Sequence, residues 1–300
     1  MIRSPATTTE QNDRRPALLF YGNCQAAHMR QILEGVPSLA RHFDLCSIDF
    51  LGDPLTGERA KPPSSLLARC ERLYYNAGET SFPLPDYVLK LIAAGRALRF
   101  PVISGNPMWP QHVKDVRTEP GFPWGRFPYG DRILLDLADA GLDEDAILEQ
   151  YSRLDLAGVY DLDRRIELWK VMVAEWDAGC DVKLSEFVWE NWRRTRLFWT
   201  IYHPTNELVG YLLKALLART FGDDVPEQEL IASLRTNELD ESMTPIHPSV
   251  ARHLRLEWFS AGQLYNSSEG PWTWEQWVRA YVRYIRSWRA AGKERAADAT

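Results

Sequence analysis

The stretch Ala17-Leu18-Leu19-Phe20-Tyr21-Gly22-Asn23-Cys24-Gln25 sets the reading of the whole chain. Five apolar residues follow Pro16 without interruption and end at the turn residues Gly22-Asn23, which predicts a strand buried on both faces of a parallel sheet. A helix is expected next. It starts around Cys24-Gln25, presents Ala27, Ile32 and Leu33 on one face, and is stopped by Gly35 and then Pro37. Upstream, residues 1–15 carry Thr7-Thr8-Thr9 and scattered charges without periodicity and read as a disordered tail.

The same order repeats downstream. A second apolar run covers Phe43 to Leu51. A polar stretch with a short helix around Ser65 to Arg69 leads to a third, Arg72 to Tyr75. A helix from Pro85-Asp86 through Leu98 precedes a fourth, Phe100-Pro101-Val102-Ile103. Strand and helix in alternation predict an α/β fold, an open parallel sheet flanked by helices. Ligands of such sheets gather beyond the carboxyl ends of the strands, so the polar turns Gly22-Asn23-Cys24-Gln25, Asn76-Ala77-Gly78 and Gly105-Asn106 are where chemistry is expected.

A Pro-, Gly- and aromatic-rich stretch over 107–130 is too long for a passive connection and can wall a pocket. From about 131 to 196 the pattern turns helical, with Asp131 and Asp161 as caps, and reads as a large helical insertion. Leu197 to Tyr202 returns to a strand-like run ending in His203-Pro204-Thr205-Asn206, followed by a long helix to Gly222. A helical C-terminal region occupies about 223–290, where Thr273-x-x-Gln276 forms a capping box before Trp277, Val278, Tyr281, Val282, Ile285 and Trp288. The expected organisation is one domain over 16–290 with these additions, and a frayed tail over 291–300.

Composition narrows the function classes. Of 300 residues, 45% are hydrophobic and 25% charged, which suits a globular chain with a sizeable core and excludes collagen-like and disordered classes. Lys and Arg number 35 against 41 Asp and Glu, a net charge of −6, so no basic field favours a nucleic-acid backbone. No stretch approaches the about 20 apolar residues that span a bilayer, and no apolar leader segment is visible, so the expectation is a cytoplasmic protein with no membrane span. The four cysteines, Cys24, Cys46, Cys70 and Cys180, lack the spacing of a zinc or disulfide framework. No metal site and no glycine-rich nucleotide loop is expected.

Cys24 stands out because it lies between a buried strand and the first turn of a helix. There the backbone N–H groups and the helix dipole favour thiolate over thiol, which makes a nucleophile. The competing reading is a small apolar residue filling the corner. Cys46, Cys70 and Cys180 are assigned to packing. A thiol in acyl transfer wants a base. Of the six histidines, His203 ranks first: it closes the last strand-like run, at the same sheet edge as Cys24, and is followed by the rigid Pro204. His247, in Thr244-Pro245-Ile246-His247-Pro248, ranks second, and His28, four residues after Cys24 on one helix face, third. Asn106 and the Cys24 and Gln25 backbone N–H groups are candidate donors to an oxyanion. A plain turn is the alternative reading of Gly105-Asn106-Pro107.

Phe20-Tyr21-Gly22-Asn23-Cys24-Gln25, Phe100 to Asn106 with Trp109-Pro110, His203-Pro204-Thr205-Asn206 and Pro245-Ile246-His247-Pro248 together resemble the WcbI family of polysaccharide biosynthesis enzymes, over roughly Leu18 to Val250. The resemblance implies an SGNH-hydrolase-like fold and a coenzyme A-binding acetyltransferase. It places Gly22-Asn23-Cys24 where SGNH enzymes carry Gly-Asp-Ser, with Cys24 as nucleophile, and matches Asn106 to their oxyanion asparagine. Gly22, Asn23, Gln25, Asn206 and His247 are then candidates for substrate binding. SGNH enzymes also place an Asp three residues before the catalytic His, whereas Thr200 and Thr244 stand there for His203 and His247. That departure implies a Cys–His dyad and leaves open which histidine serves.

The expected activity is transfer of an acyl group, acetyl in the first instance, from acetyl-coenzyme A to a hydroxyl of a sugar or polar small-molecule acceptor. The alternatives are an esterase or deacylase on the same site, and a noncatalytic protein that binds coenzyme A or carbohydrate. The oligomeric state is not legible in the sequence.

Overall fold

The computed structural model describes residues 15–50, 52, 59, 61–76, 83–102, 104–122, 124–236 and 239–298, with residues 291–298 by backbone alone. The expected N-terminal tail, Arg15 apart, lies outside the described residues. The chain gathers into two compact units. One comprises Met1–Ser104, Lys170–Glu190 and His203–Leu239, the other Gly105–Trp169, Asn191–Tyr202 and Asp240–Thr300. The single span expected over 16–290 does not draw this division, because both units are assembled from segments distant in sequence.

In the first unit, β1 (Ala17–Gly22), β2 (Asp44–Asp49), β3 (Cys70–Tyr75) and β4 (Ala97–Arg99) form a parallel sheet in the order β2-β1-β3-β4. Every residue of β1 is buried, as the uninterrupted apolar run requires of a strand with neighbours on both edges and cover on both faces. The crossovers carry α1 (Cys24–Glu34), α2 (Pro37–His42), α3 (Ser64–Ala68) and α4 (Asp86–Ala93). Leu19 and Tyr21 join Ile48, Leu73 and Tyr75 on one face and pack on Val88 and Leu91 of α4. Phe20 and Tyr74 meet at 5.0 Å between ring centroids. Each fully buried large side chain contributes about 1.5–3 kcal/mol relative to exposure, so this slab is a substantial source of the unit's stability.

Two expectations fail here for identifiable reasons. The fourth strand comes earlier than the Phe100 to Ile103 run, and the helix before it ends at Ala93, not Leu98. Gly95, at φ +68°, reverses the chain after the helix, and Arg96 N–H closes on the Leu91 carbonyl at 2.9 Å. Ala97 to Arg99 are thereby free to pair with Leu73 to Tyr75. Pro101, which lacks a backbone donor, stands beyond the ladder.

The second unit is mostly helical. Its two-stranded antiparallel ladder pairs β5 (His112–Lys114) with β6 (Tyr129–Asp131). Then come α5 (Arg132–Asp139), α6 (Glu144–Arg153), α7 (Leu156–Val159) and α8 (Leu162–Asp177), which begins in this unit, and α9 (Ser185–Asn191), which belongs almost wholly to the first. The first unit also holds α10 (Asn206–Phe221) and α11 (Glu227–Leu234), and the second closes with α12 (Pro248–Leu254) and α13 (Trp274–Asp298). α13 runs past residue 290, where the helical region was expected to end.

Local signals set these helix starts. Asp131 Oδ1 accepts from Leu134 N–H at 3.0 Å to cap α5. Thr273 and Gln276 exchange both bonds of the expected capping box, Thr273 N–H to Gln276 Oε1 at 2.8 Å and Gln276 N–H to Thr273 Oγ1 at 3.2 Å.

The Leu197 to Tyr202 run is not a strand. The Thr200 hydroxyl takes the Tyr202 N–H at 3.3 Å, a local side-chain turn that competes with a ladder. Isolated bonds serve the rest of the run, from Thr244 N–H to the Trp199 carbonyl at 3.1 Å and from Gly105 N–H to the Ile201 carbonyl at 2.9 Å. His203 therefore does not close a strand.

Candidate functional site

The corner between β1 and α1 is built by short-range rules. Asn23, extended at φ −91° and ψ −160°, is the N-cap of α1, and its Oδ1 accepts the Gln25 N–H at 3.0 Å. The Asn23 carbonyl takes the Ala26 N–H at 3.0 Å. Cys24 is thus the first residue of the helix and stands at the carboxyl end of an interior strand. Gly22 is needed for close approach: a Cβ there would lie 2.7 Å from Ala26 Cβ and 2.8 Å from the amide atoms of Asn76.

Cys24 is partly exposed, yet its surroundings raise the thiol to about 11. Burial of the sulfur is the main cause, and Asp49 at the end of β2 adds to it, against smaller opposing contributions from the Gln25 and Cys24 backbone N–H groups. This corrects the expected thiolate. A helix end offers about 0.3–2 kcal/mol to an anion, whereas desolvation shifts of several pKa units exceed that. The β1–β2 register, which sets Asp49 opposite Gly22, brings a carboxylate to the corner. The Gln25 N–H, expected to face an oxyanion, is already engaged by the Asn23 cap.

His28 is buried on α1, and its Nε2 meets Asn206 Oδ1 at 2.9 Å. The Asn206 amide nitrogen donates to the Leu234 carbonyl, so Oδ1 is the acceptor toward His28 and Nε2 carries the proton. Asn206 opens α10, and this bond seats the start of that helix beside the second turn of α1. His203 lies three residues ahead of Asn206. It is half-buried, and desolvation, reinforced by the nearby His28, lowers it to about 4, so its imidazole is neutral at neutral pH. Cys24, His203, Gly22, Asn23, Gln25 and Asn206 therefore all belong to the first unit.

Asn106 and His247 belong to the second unit. Asn106 begins a single 3-10 turn, Asn106–Met108. His247 caps α12: Nδ1 accepts the Ser249 N–H at 3.2 Å, and Nε2 bonds the Tyr151 carbonyl at 2.9 Å. Both ring nitrogens serve the fold, which accounts for this histidine without a ligand. Among the described residues no grouping of three His, Cys, Asp or Glu can hold a metal ion, and no helix is long and apolar enough to cross a membrane.

The sequence marks Asn76 only as part of a polar turn. In the structure it is fully buried beside Gly22, with Nδ2 3.4 Å from Asn23 Oδ1 and its backbone N–H on the Tyr21 carbonyl at 3.0 Å. Its position directly after the third apolar run was the available signal. Its adjacency to β1 could not be read, because strand order is not written in the order of the chain.

Fold and corner together define an α/β protein with an open parallel sheet and a thiol at the first helical residue beyond an interior strand. The chain belongs to the WcbI family: the family model described as polysaccharide biosynthesis enzyme WcbI matches residues 17–221. It is thereby placed among enzymes of polysaccharide biosynthesis. A solved structure, described as "Structural insights into WcbI, a novel polysaccharide biosynthesis enzyme", in its native form without a disulfide bond between coenzyme A and a cysteine, superimposes with a TM-score of 0.65 at 16% identity. The match covers 91% of each chain, and at that identity it speaks for the fold. No curated protein matches the chain.

Proposed function

We propose that this chain is an acyltransferase that takes an acyl group, acetyl in the first instance, from a coenzyme A thioester and passes it to a hydroxyl of a sugar or similar polar acceptor. The observation that carries this reading is Cys24 at the α1 corner in a unit where α1 also holds, through the His28–Asn206 bond, the helix that His203 precedes. The description of the similar WcbI structure names coenzyme A together with a cysteine of that protein, without a disulfide bond between them, and this supports the coenzyme as the donor.

The chemistry follows from the protonation states. Cys24 rests as a thiol and His203 as a neutral imidazole, so the sulfur is activated only as it attacks, with the imidazole taking its proton. The Cys24 S–C bond forms as the thioester C–S bond breaks, and the proton leaves on the coenzyme A thiol. The acceptor hydroxyl then attacks the Cys24-bound acyl carbon, its proton passes to the imidazole, and the Cys24 thiol is restored. A resting thiol also resists oxidation and stray alkylation between turnovers.

The test is covalent trapping. Incubation with acetyl-coenzyme A and no acceptor is expected to add one acetyl mass to the peptide bearing Cys24, to fail in Cys24→Ala, and to slow at least a hundredfold in His203→Gln. Normal turnover by Cys24→Ala would exclude the mechanism.

A further inference from the structure

Asn76 follows β3 at its carboxyl end, beside the Cys24 corner, and its side chain is fully buried. Its polarity is fixed by its neighbour. Asn23 Oδ1 already accepts the Gln25 N–H, so the Asn76 atom facing it at 3.4 Å has to be the amide nitrogen. That leaves Asn76 Oδ1 lying over Gly22, where a Cβ would come within 2.8 Å of it. Among the described residues no group donates to this oxygen, and no solvent reaches it.

A buried acceptor without a donor costs about 1–3 kcal/mol, and an apolar side chain of the same shape would remove that cost. Nothing in the packing of the sheet demands a carbonyl at this point: the residues before it, Leu73, Tyr74 and Tyr75, are buried, and the Tyr74 hydroxyl has its own partner in Thr220 at 2.9 Å. A polar group kept at such a cost in the wall of a ligand corner calls for a partner that arrives from outside the chain.

We propose that Asn76 is a specificity-determining residue whose Oδ1 accepts a hydrogen bond from a neutral N–H or O–H group of the bound molecule. The inference rests on the reading of the Cys24 corner as the acyl-transfer site and adds the polarity of what that corner selects. An acceptor that gains a donor only in the complex rejects ligands that lack one, because they leave it unpaired. Two groups in the reaction have the right chemistry: an amide N–H on the arm of the thioester, and the hydroxyl of the acceptor.

Calorimetric titration with coenzyme A, beside acetyl transfer from acetyl-coenzyme A to methyl glucoside at varied concentration, separates them. Asn76→Leu is expected to melt at or above the wild-type temperature. It is also expected to lose about tenfold, in coenzyme A affinity if the amide is the donor or in the KM for methyl glucoside if the hydroxyl is. Asn76→Asp, which burial and the facing Asn23 Oδ1 hold in its protonated form, so that its O–H replaces the amide N–H and its other oxygen still accepts, is expected to retain most of that binding. Unchanged affinity and KM in Asn76→Leu overturn the proposal. So does failure of Asn76→Leu to fold, which would make the amide a structural brace for Asn23. Wild-type binding of coenzyme A without any acyl transfer counts against the acyltransferase reading alone, since the calorimetric comparison still reads Asn76.

Discussion

Two opposing effects meet at the Cys24 sulfur, and their sizes decide the outcome. The helix start and two backbone N–H groups favour the anion, burial and Asp49 oppose it, and the thiol stands at about 11 where an ordinary thiol stands at 9.0. A folded-state value above the unfolded one means that the native chain keeps the proton longer, so stability from this group is lost only as pH rises through 9 toward 11. Alkylation of Cys24 by iodoacetamide should still be climbing at pH 9, and at neutral pH should run about a hundredfold slower than that of a small free thiol. An inflection below 9 in the alkylation rate would mean that a thiolate exists before substrate arrives. The type and position of the residue are legible in the sequence. Its protonation is not, because burial of the sulfur is set by tertiary packing, and Asp49, 25 residues away, reaches the corner only through sheet register.

Among elements, the β1–α1 corner depends on an absent side chain. Gly22 has ordinary backbone geometry, so its need is steric: a Cβ would strike Ala26 on α1 and Asn76 after β3 at once. Gly22→Ala is expected to lower stability by about 1–3 kcal/mol, in the range of overpacked sites, and to reduce the proposed acyl transfer more than stability alone explains, since Asn23 and Cys24 shift with the helix. Gly262→Ala, where a Cβ meets nothing within 4 Å, is the control and should melt like the wild type. Equal effects of the two substitutions in a denaturant titration would remove the steric account. Elements fixed by local patterns, such as β1, α1 and the capping box of α13, are read from sequence within a residue or two. The Leu197 to Tyr202 run is misread because apolar, β-branched and aromatic residues satisfy the strand pattern while the Thr200 hydroxyl holds a turn.

At the scale of the molecule, the second unit contains a polar centre that ties separate helices together. Asp131 caps α5, accepts the hydroxyl proton of Tyr151 from α6, and offers its backbone N–H to the Tyr281 hydroxyl of α13 at 3.3 Å. The Tyr281 hydroxyl in turn donates to Asp115 Oδ2 at 2.7 Å. Burial raises the Asp131 carboxyl from 3.8 to about 6 against the pull of these donors. Because the folded value is the higher one, the native state holds the extra proton between those limits, and stability falls as pH rises through that window, by up to about 3 kcal/mol. Asp131→Asn keeps an N-cap acceptor and is expected to flatten this slope between pH 4 and 6 in thermal melts. A slope unchanged by the substitution would assign the effect to another group.

The residues of this chain by themselves determined the buried central strand, the helix that starts at Cys24, the caps, and the family, since each is written in a short contiguous pattern whose physics is local. Only the tertiary structure decided that Asn76 borders the Cys24 corner, that burial, with Asp49 adding to it, keeps its sulfur protonated, that His247 caps a helix, and that the chain gathers into two units. Those facts depend on which strands become neighbours and on what burial does to charge. Both arise from contacts between residues far apart in sequence, where periodicity and spacing carry no information.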